Sequence, residues 1–275
     1  MRVAVVGHVE WIEFARVERV PVPGEIVHAE RAWEEPGGGG AVAAVQLAKL
    51  AGGCLFLTAL GDDELGHRAE RALTDLGVEV AAVHRPEPQR RAFVHVDHGG
   101  ERTITVIGDR MGPAGDEPLP WDELAGVDAL YFTAGDPGAA RRARAAGTMV
   151  STARGIEALA SSGVELDALV ASANDPGERY EQGDLRPPPR IVARTAGAAG
   201  GEWTGPGGGG RWEATPLPGP VGDAYGAGDS FAAGFTFGLG RGLPVPEALT
   251  LGARCGAACF TGFGPYAGQL TAAEL

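Results

Sequence analysis

Short apolar runs alternate along this chain with segments whose apolar residues recur at helical spacing. Residues 3–6 are apolar throughout and end at Gly7, the pattern of a strand buried on both faces of a parallel sheet. Comparable runs at 54–59, 129–133, 148–151, 168–171 and 191–194 predict further core strands, and helical stretches such as 64–76 and 230–239 lie among them. Strand and helix in alternation predict an α/β fold with a mainly parallel sheet.

A different period marks the first forty residues. Residues 9–19 and 26–33 alternate between apolar and polar positions on either side of the turn Pro21-Val22-Pro23-Gly24-Glu25, and read as half-exposed antiparallel strands. Stretches 91–96 and 102–107 flank His98-Gly99-Gly100 and predict a hairpin. Together these segments, 9–35 and 91–108, predict a small β-lid. Gly37-Gly38-Gly39-Gly40 leads into a helix at 41–50, buried on most sides because its residues are small and apolar. The patches 187–189 and 207–210 read as surface turns, and residues 1–275 are expected to form a single domain.

Charge and cysteine usage narrow the partners. A formal net charge of −13 with no basic run argues against a nucleic acid or an anionic membrane. Lys49 is the only lysine, so no phosphate loop of the Gly-Lys-Ser type exists, and any phosphate must be met by backbone N–H groups, arginines and metal. The three cysteines, Cys54, Cys255 and Cys259, lack the spacing of a zinc site or a disulfide framework and are expected to be reduced and buried. With no signal-like or membrane-spanning run in view, a cytoplasmic protein is expected.

The segment Val221-Gly222-Asp223-Ala224-Tyr225-Gly226-Ala227-Gly228-Asp229-Ser230-Phe231 carries the most chemistry. Backbone N–H groups at Gly226, Ala227 and Gly228 carry small side chains or none, so a phosphate can approach the start of the following helix. Asp229 beside it is an acceptor-only carboxylate that can take a proton from an attacking hydroxyl.

Asp223 to Asp229 resembles the Asp-Thr-x-Gly-Ala-Gly-Asp signature of the ribokinase-like (PfkB) sugar kinases, with Ala224 in place of the Thr. The resemblance runs in order through the chain: the 21–25 turn, the Gly37–Gly40 element, Gly61-Asp62-Asp63-Glu64-Leu65-Gly66, Thr195-Ala196-Gly197-Ala198-Ala199-Gly200 and Gly262-Phe263-Gly264 each match a family element. It implies a ribokinase-like three-layer sandwich with a β-lid, and ATP-dependent phosphorylation of a sugar hydroxyl with Asp229 as base and Gly226, Ala227 and Gly228 as anion hole. It places the nucleotide at Thr195, Gly197, Gly200 and Gly264, and the acceptor at Gly38 and Gly39. Magnesium would bridge the nucleotide phosphates, and a monovalent cation such as K+ would sit near Asp223. Apart from the resemblance, Trp11, Trp33 and Phe93 on the lid segments read either as apolar faces for the acceptor or as lid packing and the contact of a homodimer through the lid.

The departures bear on the acceptor and the metal. Alignment from Gly7 to Gly24 puts Glu10 where the family has Asn and Ile12 where it has the sugar-gripping Asp, and Val42 replaces the Asn of the Gly-rich element. The Asn-x-x-Glu element that organises magnesium-bound water is replaced by Ser172-Ala173-Asn174-Asp175-Pro176-Gly177-Glu178, where Asn174 or Asp175 is expected to substitute; residues 179–189 leave little room for the usual helix. Arg102 and Arg110 bracket the lid hairpin, within reach of a phosphate already on the acceptor. A nucleoside kinase, or a weakly catalytic sugar- or nucleotide-binding regulator of the same fold, are the alternatives.

Overall fold

The computed structural model describes residues 1–275 and has a nine-stranded sheet at its centre. In chain order its strands are β1 (Val3–Val6), β4 (Cys54–Gly61), β5 (Val78–Arg85), β8 (Ala129–Phe132), β9 (Thr148–Thr152), β10 (Ala168–Ser172), β11 (Ile191–Thr195), β12 (Gly201–Gly205) and β13 (Gly208–Trp212). Spatial order is β13-β12-β11-β10-β9-β8-β1-β4-β5, parallel throughout except for β12 and β13. The helices are α1 (Gly39–Ala51), α2 (Glu64–Asp75), α3 (Pro137–Ala143), α4 (Ile156–Ser162), α5 (Ala227–Gly240) and α6 (Val245–Cys259). Side-chain alternation in β1 shows the three layers. Val3 and Val5 join one apolar cluster with α1, α5 and α6, while Ala4 and Val6 join the other with α3 and α4. Burying each such valine contributes about 1.5–3 kcal/mol.

Helices α5 and α6 meet through small residues. A methyl added at Gly234 would stand 2.6 Å from Cys255 Sγ, so that cysteine is a packing group, and all three cysteines are buried and free. The Gly207–Gly210 patch is only partly the expected turn: Gly208–Gly210 pair with β12 as the sheet's edge strand, because backbone pairing needs no side chains. No helix fills 179–189, as expected.

A second sheet forms the lid in the order β3-β2-β6-β7, with β2 (Glu10–Arg16), β3 (Arg31–Gly37), β6 (Arg91–Val96) and β7 (Arg102–Ile107). Two expectations change here. The strand expected at 26–33 lies at Arg31–Gly37, with Ile26 89% exposed, because Trp33 stacks on Phe14 across the β2–β3 pair at 4.8 Å and sets the register. Strand β2 is also mostly buried and pairs with β6 in parallel, since Ile12 and Phe14 belong to the main core.

Candidate active site

Three chain segments converge where β1 ends. His8 and Glu10 leave the sheet for the lid, Gly38 and Gly39 open α1, and Gly226 to Asp229 open α5. A methyl on Gly39 would come within 2.8 Å of Asp229 Oδ1, and one on Gly38 within 3.2 Å of both Glu10 Cγ and His8 Cδ2. Only glycines allow this approach of a helix start to the Asp229 carboxylate. Tyr225 fastens the two segments, its hydroxyl accepting the Gly38 N–H at 3.0 Å.

The start of α5 has the geometry of an anion hole. Gly226 is the N-cap at φ 81, a left-handed conformation that glycine adopts without strain. The Gly228 and Asp229 N–H groups have no protein acceptor, while that of Ala227 points to Ala224 O at 3.5 Å. Gly228 is exposed, its φ is not positive, and a methyl on it would meet nothing within 4 Å.

Charge around the half-buried Asp229 is arranged to keep its proton affinity near neutrality. Burial, and then the Glu178 carboxylate, raise its pKa to about 6, against the opposing pull of Arg102, Arg154 and Arg110. His8 is pushed down to about 4 by burial and by Arg110, so it is neutral at ordinary pH. Its Nδ1 accepts from Arg110 Nε at 3.2 Å, which leaves the proton on Nε2, facing Glu10 Oε1 at 3.7 Å. Glu10 is 7% exposed and lies 2.7 Å from Arg90 Nε. Burial opposes its ionisation, but His8 and Arg90 outweigh that and lower its pKa.

The remaining expected site residues fall into separate groups. Asn174 approaches Gly197 near the carboxyl ends of β10 and β11, where Thr195 donates its hydroxyl to Ala171 O at 3.2 Å and Gly200 takes φ 77. Gly264 instead sits with Asp223 and Glu35: Asp223 Oδ2 accepts the Gly264 N–H at 2.6 Å and Oδ1 that of Tyr225 at 2.9 Å. Ile12 and Val42 are fully buried, Val42 against Gly226, and expose no surface to a ligand. Arg102 reaches Ala224 O at 3.2 Å and anchors the lid hairpin to the loop before α5. Asp175 is held by Arg154, which also binds Glu178 at 2.8 Å.

Sequence reasoning missed Glu178, Arg154 and Glu35. Glu178 stands one position beyond the spacing of Asn-x-x-Glu, so counting from Asn174 with one residue of slack finds it. Arg154 follows β9, at the end of a parallel strand where α/β folds place their ligands. Glu35 had no signal, lying inside an ordinary polar position of a lid strand.

Glu35 Oε2 is buried with no hydrogen-bond partner. Burial and then Asp223 push its pKa up from 4.5 to about 7. Below 4.5 it is protonated folded or unfolded; as pH rises from 4.5 to about 7 the unfolded chain gives up the proton while the folded protein keeps it, so stability is lost across that window and the loss is complete above it. Glu35→Gln is therefore expected to stabilise the fold at pH 8 by about 2 kcal/mol, with the gain shrinking toward pH 5. Thermal melts across that range, in a buffer free of K+ and Na+, check it; a gain independent of pH would assign the effect to packing.

The family model for pfkB family carbohydrate kinases matches residues 1–147 and 157–272. The chain belongs to that family. It is therefore a phosphotransferase with an alcohol acceptor, a sugar kinase. An ATP-dependent ribose-1-phosphate kinase of Halopiger xanaduensis is 32% identical over 281 residues, covering 94% of this chain and 91% of the relative. The ribokinase of Thermotoga maritima superposes with a TM-score of 0.78 at 21% identity, over 100% of this chain and 97% of its own. The Arabidopsis thaliana ribokinase solved with ribose and ATP gives 0.72 at 22% identity, over 98% and 96%. These likenesses establish the ribokinase fold, with its lid as the smaller sheet. No helix is long and apolar enough to cross a membrane.

Proposed function

We propose that this protein transfers the γ-phosphate of ATP to a hydroxyl of a sugar or sugar-like small molecule, with Asp229 as the general base. The observation that carries this reading is the contact of the Gly38–Gly39 element with Asp229 beside the open, unpaired N–H groups at the start of α5. Asp229 takes the acceptor proton, and its pKa of about 6 suits a base working near neutrality. The Gly228 and Asp229 N–H groups and the positive end of α5 hold the transferred phosphate. Glu10 and the Gly38 and Gly39 backbone orient the acceptor, and Thr195, Gly197 and Gly200 border the nucleotide.

Two metals fit the donors present. Asn174 and Glu178 would hold magnesium through its water shell, with Asp175 drawn aside by Arg154, in an all-oxygen set of the kind magnesium takes. Asp223 and the unpartnered Glu35 Oε2 would hold a monovalent cation. When bound, magnesium neutralises phosphate charge and the monovalent cation offsets the two buried carboxylates. The lid edge β7 exposes Ile104, Val106 and Ile107 by 40–45%, which supports pairing of two lids in a homodimer.

The reading is tested by incubating the protein with Mg-ATP and a panel of sugars and nucleosides and identifying any product by mass. Formation of ADP with no phosphorylated acceptor in any arm would sink it. The anion hole has its own test in Gly228→Val. Because that site has ordinary backbone angles and open space, the variant is expected to fold normally while its KM for ATP rises about tenfold, through loss of charge-assisted bonds to phosphate. An unchanged KM in the folded variant would move the phosphate elsewhere.

A further inference from the structure

Two of the chain's six histidines meet at the edge of the central sheet, away from the start of α5. Strand β5 is the last of the nine, and α2 packs on it. His67 and Glu70 are three apart on α2 and so share a face of that helix, and His84 stands on β5. The two imidazole rings lie 4.8 Å apart between centroids, tilted by 36°. His84 Nε2 is 3.2 Å from Glu70 Oε2, and His67 Nε2 is 3.2 Å from Asp62 Oδ1. One donor atom from each of His67, Glu70 and His84 lies within 4.8 Å of the other two.

This arrangement has the donors and the spacing of a metal site. A four-coordinate ion with bonds of about 2.0–2.2 Å sets neighbouring donors roughly 3.3 Å apart. The Glu70–His84 pair already has that spacing, and His67 is partly exposed, with room to turn and close the rest. Neither carboxylate has an arginine or lysine partner; each is paired with an imidazole alone. A cation among them satisfies both rings and both carboxylates at once. Two imidazoles and a carboxylate are a donor set for zinc and its neighbours among the divalent transition metals, whereas magnesium takes oxygen.

The cluster also stands at the foot of the lid. Asp63, next to Asp62, caps α2 by accepting the Gly66 N–H at 2.8 Å and also accepts the Gln89 N–H at 2.9 Å. The Gln89 side chain accepts from Gly61 N and donates to Val9 O. The 86–90 connection from β5 to the lid strand β6 is thus fastened to the turn that precedes α2.

We infer that His67, His84 and Glu70 bind one divalent transition-metal ion, Zn2+ by their donor set, with Asp62 steadying the His67 ring and water completing a four-coordinate shell. The ion clamps α2 to the edge strand beneath the lid. It is distinct from the magnesium of the kinase reading, because neither α2 nor β5 supplies a residue to the candidate active site.

The test uses untagged protein stripped with a chelator, desalted, and titrated by calorimetry with Zn2+ and separately with Mg2+. Zn2+ is expected to bind and to raise the Tm of the parent protein, and Mg2+ is expected not to compete at these residues. His67→Gln and His84→Gln should each weaken Zn2+ binding by about a hundredfold, and Asp62→Asn by about tenfold. No Zn2+ binding by the parent protein, or binding unchanged in both histidine variants, overturns the inference, as does Mg2+ binding that those variants abolish. Should the variants fail to fold, Co2+ in the parent protein still decides. Intense visible bands of a four-coordinate ion support the site, and the pale spectrum of six-coordinate Co2+ ends it.

Discussion

Asp229→Asn is expected to lower kcat by about a hundredfold to ten-thousandfold while nucleotide affinity stays near the parental value, because the change removes a proton acceptor and keeps size and hydrogen-bonding capacity. The pH profile makes the assignment specific. With a pKa of about 6 in the free protein, Asp229 gives kcat/KM an acid limb there, and rate is lost as protonation removes the base below it. His8, the histidine at this site, is held at about 4 and cannot supply that limb. Glu35, at about 7, can; a limb that survives in Glu35→Gln and disappears from the residual rate of Asp229→Asn identifies the base. Near-parental turnover in Asp229→Asn would remove it from that role.

What the sequence made legible follows the range over which each signal acts. Parallel core strands such as β1 announce themselves by continuous apolar runs, and the start of α5 by its glycines, because both are decided within a few residues. The register of β3 is not local: it depends on Trp33 finding Phe14 across the lid, so the strand lies five residues beyond the alternation that suggested it. Gly39 and Asp229 were each readable from motif, yet their contact joins positions 190 residues apart, and only the fold supplies it. The charge network was the least legible part. Whether an arginine is spent inside the protein or left for a ligand depends on which carboxylates the fold brings near, and Arg102, Arg110 and Arg154 look alike in one dimension.

Glu10 shows how that network couples fold to acceptor binding. A carboxylate at this position of a lid strand could face solvent or turn inward, and its 7% exposure and 2.7 Å ion-pair contact with Arg90 show that it turns inward. Its charge offsets Arg90 within a cluster that also contains Arg110, so Glu10→Gln leaves two half-buried guanidiniums with less to balance them. A loss of about 3 kcal/mol in stability is expected, as for removal of one partner of a buried ion pair. The kinetic effect is separable from it. If Glu10 also accepts a bond from an acceptor hydroxyl, losing that charge-assisted interaction lowers kcat/KM by about tenfold to a hundredfold at temperatures where the variant is fully folded, with KM for ATP unchanged. Destabilisation with parental kinetics would make Glu10 a support for Arg90 alone; parental stability and kinetics together would return it to the edge.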